Sequence, residues 1–419
     1  MNTNNNSVDR PDVVVVGGGI GGLAAALALT RTGLRVRVLE QASEFGEVGA
    51  GIQLAPNCTR ILDKYGLLDE ARSLGVVPER LVMRDAVDGR DLTSVDLRDL
   101  EKRYGSPYLV IHRTDLHGLL LRACRSAGVD LLTNHLVVGY DQTDDGAGVR
   151  LADGTVHEAP LVIAADGIHS VARRDLVGDD VVSSRYVAYR GALPVEQVRD
   201  HGIDFAEDQV VVHVGPQCHF VQYPLRGGTA VNQVAVFESP KARAGEEEWG
   251  TPDELDGAFA ATCDHVLKSI GLMWRDKWWQ MSDRDPISTW VYGRIVLLGD
   301  AAHPPLQYLA QGAVMAIEDG YVLAHHLAET GVDHPAEALA AYEAVRTEHC
   351  RRVQTTARVW GDLWHLDGDR RLRRNEILRE RSTDDYSFID WIYGPTALTP
   401  EQEPEMFVPI PLEGATTVR

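Results

Sequence analysis

Cysteine is scarce and poorly spaced for chemistry. Cys58, Cys124, Cys218, Cys263 and Cys350 are scattered, odd in number and form no CxxC pair. That pattern points away from a disulfide framework and a zinc site, and toward a reducing compartment; no metal is expected. Positive charge is in deficit as well: 41 Lys and Arg against 62 Asp and Glu leave a formal charge of -21, which argues against a nucleic-acid partner, whose phosphates need a basic face. No stretch of about 20 residues is apolar enough to span a bilayer. The opening MNTNNNSVDRP lacks the basic start and apolar core of a secretory signal, so a cytoplasmic protein is expected. There is no internal repeat and no long low-complexity segment. What remains is ordinary globular material: 419 residues, 44% hydrophobic and 25% charged, enough for one large domain or two intermediate ones.

The stretch 12–40, DVVVVGGGIGGLAAALALTRTGLRVRVLE, organises the rest. Val13–Val16 is a β-branched, uncharged run suited to a buried parallel strand. Gly17, Gly19 and Gly22 then fall on the GxGxxG spacing, where a strand turns sharply into a helix. The first glycine permits the turn and the second lets a pyrophosphate approach the backbone. The third lets helix and strand pack closely, and phosphates rest on free N–H groups at the helix start. An alanine-rich helix ends near Gly33, and a second strand finishes on Glu40, where an acidic side chain can accept hydrogen bonds from a ribose. Strand, glycine turn, helix and terminal acid together predict an adenine dinucleotide site.

Further along, Gly46, Gly49 and Gly51 keep the backbone thin around Gln53, as either a flexible connection or a segment running against a flat ligand. A helical pattern covers 58–74. A short strand leads to His112 and Arg113, with Thr114 or Asp115 as N-cap of an amphipathic helix; Arg113 is either a solvated cation or a ligand contact. Two strands joined by the turn Asp153-Gly154 follow, the second ending in Asp166-Gly167-Ile168-His169-Ser170 with Arg173 and Arg174 beyond, either a backbone opening toward a phosphate or ribose or a structural turn. Between 181 and 290 the pattern changes to alternating segments such as VVVHVGP, CHFVQYPL and AVNQVAVFE, which predict antiparallel strands inserted into a doubly wound chain. On the central one, His219 and Tyr223 share a face and Gln222 takes the other. Trp274, Trp278, Trp279 and Trp290 are expected to pack core or interface. A buried strand at 295–298 ends on Gly299-Asp300. The following helix offers free N–H groups near Gly312, and 336–364 is helical. The expected layout is a tail at 1–10, a nucleotide-binding domain at 11–180 and 291–365, a β-rich substrate domain at 181–290 and a helical C-terminal tail at 366–419.

GGGIGG with Glu40, ADGIHSVAR and LLGDAAHPP, in that order, resemble the single-component flavoprotein aromatic hydroxylases, the group typified by 4-hydroxybenzoate and salicylate hydroxylases. The resemblance covers nearly the whole chain. It implies an α/β, Rossmann-like FAD domain with an inserted β-rich domain and a helical C-terminus. By resemblance, non-covalent FAD is held by Gly17, Gly19, Gly22, Glu40, Arg113, Asp166, Asp300 and Gly312. NADH, favoured over NADPH, is the reductant, and relatives often form homodimers. The implied reaction reduces FAD, adds O2 at flavin C4a and transfers the terminal oxygen of the hydroperoxide to an electron-rich ring. Gln307 departs from the group, standing where a proline is usual, as does Ala310 before Gln311-Gly312. PPLQYLAQGAVMAIED, YVAYRG, CHFVQYPLRGG and NQVAVFESP are similar to the branch that converts 3-hydroxybenzoate to 2,5-dihydroxybenzoate. Decarboxylating salicylate hydroxylation to catechol is the nearest alternative; an FAD-dependent reductase that never uses O2 and a non-catalytic flavin protein are others.

Ring hydroxylation needs two electrons and a held peroxide, which no side chain supplies and flavin does. Ionising the phenol activates the ring, and a base within hydrogen-bond reach is worth about 100- to 10,000-fold. His219, with an ordinary pKa near 6.5, is the candidate base. Tyr223 orients the substrate, and Gln307 hydrogen-bonds its hydroxyl or the peroxide. Gln53 and Tyr108 are further substrate contacts, and Arg190 is the partner for a substrate carboxylate.

Overall fold

The computed structural model describes residues 10–46 and 49–394. Nearly all of the expected tail at 1–10 and the last part of the expected C-terminal tail, from 395 onward, lie outside them.

The first apolar run forms the strand Val13–Val16, fully buried and paired in parallel with Val36–Leu39 on one side and Leu161–Ala164 on the other. It is central to a six-stranded sheet in the order Val291–Tyr292, Ile295–Leu297, Leu161–Ala164, Val13–Val16, Val36–Leu39, Asp130–Leu132. Successive side chains point to opposite faces. Val13, Val15, Val38, Ile163 and Val296 therefore pack under helices, while Val14, Val16, Leu39, Val162 and Ile295 pack on a three-stranded antiparallel sheet built from Val137–Thr143, Gly146–Leu151 and Val156–Ala159. Both faces are covered, which is why these strands carry continuous aliphatic runs rather than alternation.

The helix Ile20–Thr30 crosses the helix Gly312–Thr330 closely enough that a Cβ on Gly320 would lie 2.7 Å from the Cα of Ala25. The run of alanines is the sequence counterpart of that crossing: larger side chains would hold the backbones apart.

A second sheet of seven strands runs in the order Trp279–Asp283, Val182–Pro194, Ala230–Glu238, Cys218–Leu225, Gln209–Gly215, Arg80–Asp85, Asp91–Asp96. Its last two strands come from well upstream of the 181–290 block, and Gln209–Gly215 pairs with Arg80–Asp85 in parallel. On one face Tyr189, Phe220 and Phe237 pack with Phe259 and Leu255 of the helix Pro252–Phe259. The other face looks toward the first sheet across a cavity.

Several local expectations change. The helical pattern over 58–74 is two helices, Pro56–Lys64 and Leu68–Leu74, separated where Gly66 takes a φ of +71°. The helix Arg113–Ser126 is capped by His112, whose ring accepts from the amide of Thr114, so neither Thr114 nor Asp115 is the cap. The Asp153-Gly154 turn joins Gly146–Leu151 to Val156–Ala159, and the strand running into Asp166 is a separate element of the parallel sheet. Trp290 is buried as expected, but Trp274 is 49% exposed.

Candidate active site

One cavity of about 2510 Å³ runs between the two sheets, from the glycine turn to the face of Cys218–Leu225. At its nucleotide end it is lined by Gly17, Gly19, Gly21, Glu40, Arg113, Asp166, Asp300 and Gly312. Gly17 has a φ of +105°, and a Cβ there would lie 2.3 Å from the carbonyl oxygen of Ala165. Gly22 does not line the cavity. A Cβ on it would meet the carbonyl of Gly17 at 1.9 Å, so its role is the close helix–strand packing the spacing predicts. No side chain caps Ile20–Thr30 or Gly312–Thr330, and neither has an acidic residue in its first turn. Two helix starts thus leave N–H groups and positive dipole ends toward the cavity, which suits an anionic or electron-rich group.

Glu40 is more engaged than the sequence suggests: its two carboxylate oxygens accept from the amides of Gly18 and Ala42, each at 2.8 Å. Each oxygen keeps a lone pair for a ribose hydroxyl. Asp166 accepts from Tyr140 Oη at 3.2 Å and from the amide of Val171 at 2.9 Å through one oxygen, while its other oxygen is buried without a partner. Burial raises its pKa, against the pull of Ser170 and the backbone amides.

Arg173 takes the structural side of the two readings open for its motif. Its buried guanidinium is not directed at a phosphate; it donates to the carbonyls of Ala302 (2.6 Å) and Asp285 (2.8 Å) and pairs with Asp179. Arg174 pairs with Asp175 at the surface. The second motif therefore clamps the third, holding the Gly299–Ala301 turn that carries Asp300 against the cavity.

At the other end, period-two alternation puts His219, Val221 and Tyr223 on the cavity wall, while Gln222 faces away and its Oε1 accepts from His265 Nε2 at 3.1 Å. His219 is 1% and Tyr223 2% exposed. Arg190, from the neighbouring wall, donates through Nη2 to Gln307 Oε1 at 2.8 Å, and Gln307 Nε2 lies 3.4 Å from His219 Nε2. A guanidinium has only donors, so Gln307 must turn its carbonyl oxygen to Arg190 and its NH2 to His219. That orientation leaves His219 Nε2 as an acceptor. Arg190 Nε is out of solvent and has no partner, and burial lowers the guanidinium's pKa. Burial alone brings His219 down to about 3, well below the near-neutral value expected of it, because the low-dielectric wall disfavours an imidazolium with no anion opposite it.

Gln53 and Tyr108 also line the cavity, and Tyr108 Oη donates to Gln53 Oε1 at 2.7 Å. The thin backbone at Gly51 has a packing cause: a Cβ there would lie 2.5 Å from the ring of Tyr223, and its amide donates to Asn232 Oδ1 at 2.6 Å. Asn232 sits opposite Tyr223 in the sheet register. Sequence reading passed over Asn232 and also His365, whose Nε2 is 2.8 Å from His219 Nδ1. Only the Asn232-Gln233 pair inside the strand Ala230–Glu238 hinted at the first; nothing local marked the second.

The family described as FAD binding domain matches residues 10–357. The chain is 39% identical over 396 residues to 3-hydroxybenzoate 6-hydroxylase of Polaromonas naphthalenivorans (strain CJ2), covering 93% of this chain and 97% of that one. It is 37% identical over 399 residues to 3-amino-4-hydroxybenzoate 2-monooxygenase of Streptomyces cremeus, covering 94% and 98%. Among solved structures it is similar to Klebsiella pneumoniae HpxO complexed with FAD and uric acid, with a TM-score of 0.78 and 28% identity over 88% of this chain and 93% of that one.

Proposed function

The chain belongs to the FAD-binding-domain family of aromatic-ring monooxygenases, and from that premise we propose that it hydroxylates 3-hydroxybenzoate to 2,5-dihydroxybenzoate with NADH as reductant. FAD is the cofactor, and it supplies the two electrons and the activated oxygen; the two uncapped helix starts and the glycine cradle fit its phosphates and ring.

The observation that carries the substrate reading is the polarised line Arg190, Gln307, His219 at the far end of the cavity. A buried guanidinium with a spare N–H calls for an anion, and a nearby imidazole nitrogen held as an acceptor calls for a hydroxyl proton. A benzoate with a hydroxyl on its ring meets both needs. The carboxylate is held by Arg190 Nε, and the phenol O–H displaces the long Gln307 contact at His219 Nε2, leaving the Gln307 amide to donate to the phenol oxygen. The incoming anion also offsets the burial that keeps His219 neutral, so the base strengthens when substrate is present. Tyr223, backed by Gly51 and Asn232, bounds the ring, and the Tyr108–Gln53 pair bounds the cavity nearby. Relatives of similar identity act on differently substituted benzoates, which supports the carboxylate and phenol more firmly than the ring position.

Aerobic NADH oxidation by the FAD-loaded protein, with 3-hydroxybenzoate, salicylate and 4-hydroxybenzoate in parallel and products separated by chromatography, tests the reading. 2,5-Dihydroxybenzoate from 3-hydroxybenzoate with matching O2 uptake is expected. Catechol from salicylate would move the chain to decarboxylating hydroxylation, and peroxide alone with all three would reject this substrate class.

A further inference from the structure

The imidazoles of His219 and His365 form a buried pair: Nδ1 of the first is 2.8 Å from Nε2 of the second, with ring centroids 5.1 Å apart and planes 22° from parallel. His365 follows directly on the long helix Ala336–Trp364, and its Nδ1 is buried with no partner. The direction of the hydrogen bond is set from the far side. Arg190 orients the Gln307 amide, Gln307 directs an N–H at His219 Nε2, and His219 must then carry its proton on Nδ1 and donate it to His365 Nε2.

We propose that His365 is a positioning residue that holds His219 in its Nε2-acceptor tautomer and shares the proton taken from the substrate. This rests on the phenolic-benzoate reading above. The phenol O–H bond breaks and its proton bonds to His219 Nε2; the Nδ1 proton of His219 moves to His365 Nε2. The substrate becomes a phenolate, and the positive charge passes to the His365 ring, whose Nε2–H then donates back to His219 Nδ1. The steps reverse when the product hydroxyl is reprotonated, so the proton taken from the phenol is returned to it.

The surroundings suit such a pair. His365 stacks on Tyr186 of the strand Val182–Pro194 at 4.6 Å and 19°, and Tyr308 of the turn Gln307–Leu309 packs against both imidazoles. Trp364 packs edge-on to His219. The charged neighbours are Arg190 through Gln307, and Arg374 of the helix Gly368–Glu380, which donates to the carbonyl of Trp364 at 2.7 Å. Asp362 and Glu238 act on Tyr186 and Tyr308. Among the described residues no carboxylate hydrogen-bonds either imidazole, so the counter-charge for the protonated pair is the substrate's own. Burial, His219 and Arg374 hold His365 well below its ordinary value, which keeps the pair neutral until that anion forms.

The test is the pH dependence of phenolate absorbance of 3-hydroxybenzoate bound to the oxidised holoenzyme, without NADH, in the wild type, His365→Gln and His365→Phe. Glutamine can accept the Nδ1 proton's hydrogen bond but cannot take the proton; phenylalanine does neither. In His365→Phe the pH of half-ionisation should rise by about one unit or more, with kcat at neutral pH reduced about tenfold or more, recovering as pH rises, and KM little changed. His365→Gln should fall between. Ionisation and kcat profiles matching wild type in both variants would overturn the pair's role while leaving the function intact. A wild type that binds no 3-hydroxybenzoate would overturn both. Nitrogen NMR of the histidine-labelled wild-type holoenzyme needs no variant: a proton on His219 Nδ1 is expected, and one on Nε2 would overturn the proposal.

Discussion

The Nε2 atom of His303 lies 2.6 Å from a carboxylate oxygen of Asp319, with both side chains fully buried. The same oxygen accepts from the amide of Gly299 at 3.0 Å, and the other accepts from Arg346 Nε at 2.8 Å. The pair thus ties the turn that carries Asp300 to the helices Gly312–Thr330 and Ala336–Trp364. His303, Asp319 and Cys350 also bring potential metal-ligand atoms within 4.8 Å of one another, but Arg346 already supplies a cation to the carboxylate.

Removing one partner leaves the other charge buried, which costs about 3–5 kcal/mol. Asp319→Asn and His303→Gln should lower the unfolding midpoint and loosen FAD. Wild-type FAD retention in both variants would contradict this anchoring.

The pair also predicts a pH window. Burial would raise Asp319, but His303 and Arg346 outweigh it and bring it down to about 2 from 3.8. Its contribution is complete above 3.8 and is lost as pH falls through about 2. Burial would lower His303, yet Asp319 and Cys350 raise it well above 6.5; its contribution is complete below 6.5 and is lost as pH rises through that raised value. The stability gap between wild type and His303→Gln should be widest between 3.8 and 6.5 and narrow toward alkaline pH. Urea melts carried from that plateau into alkaline pH measure it, and a gap that does not narrow there would sink the assignment.

Gly22→Ala sets a Cβ 1.9 Å from the Gly17 carbonyl, so the helix must move off the strand where phosphates are expected. The flavin absorbance per protein should fall severalfold. Full flavin loading would show that this contact relaxes without disturbing the cradle.

Gly51→Ala drives a Cβ into Tyr223. Overpacking of this kind costs about 1–3 kcal/mol, and because the displaced ring bounds the substrate end, KM should rise with FAD content unchanged. A variant with normal KM would remove Tyr223 from the substrate wall.

Arg190→Met removes the buried donor and unlocks the Gln307 amide. Hydrogen bonds to charged groups are worth about 1.5–3 kcal/mol, so substrate affinity should drop about 10- to 100-fold, while a phenol lacking the carboxylate should be bound much as before. Equal losses for both ligands would argue against carboxylate recognition.

Ala310 holds a left-handed conformation, φ +53° and ψ +36°, at the end of the turn carrying Gln307. An alanine there costs about 1–2 kcal/mol, so Ala310→Gly should raise stability by roughly that amount, less the added freedom of the unfolded chain. A loss of stability would mean that its methyl packing outweighs the strain.

The nucleotide end was legible because its determinants are local. A strand, a glycine turn and an alanine-rich helix are dictated by residues within about a turn of one another, and Val13–Val16, Ile20–Thr30 and Val36–Leu39 form where the pattern puts them. Alternation likewise assigned His219 and Tyr223 to one face, since the pleat fixes side-chain direction whatever the partner strand. Arg173 stayed ambiguous because a cation after a strand looks the same from sequence whether it meets a phosphate or a carbonyl; only the approach of Ala302, 129 residues away, decides. His219 and His365 are 146 residues apart, and Arg190 and Gln307 are 117. The sequence by itself determined which atoms could donate, accept or carry charge, and which backbone could turn. The tertiary structure decided which of them meet, and burial at that meeting moved His219 far from its ordinary pKa, because desolvation belongs to the packed site and not to the residue.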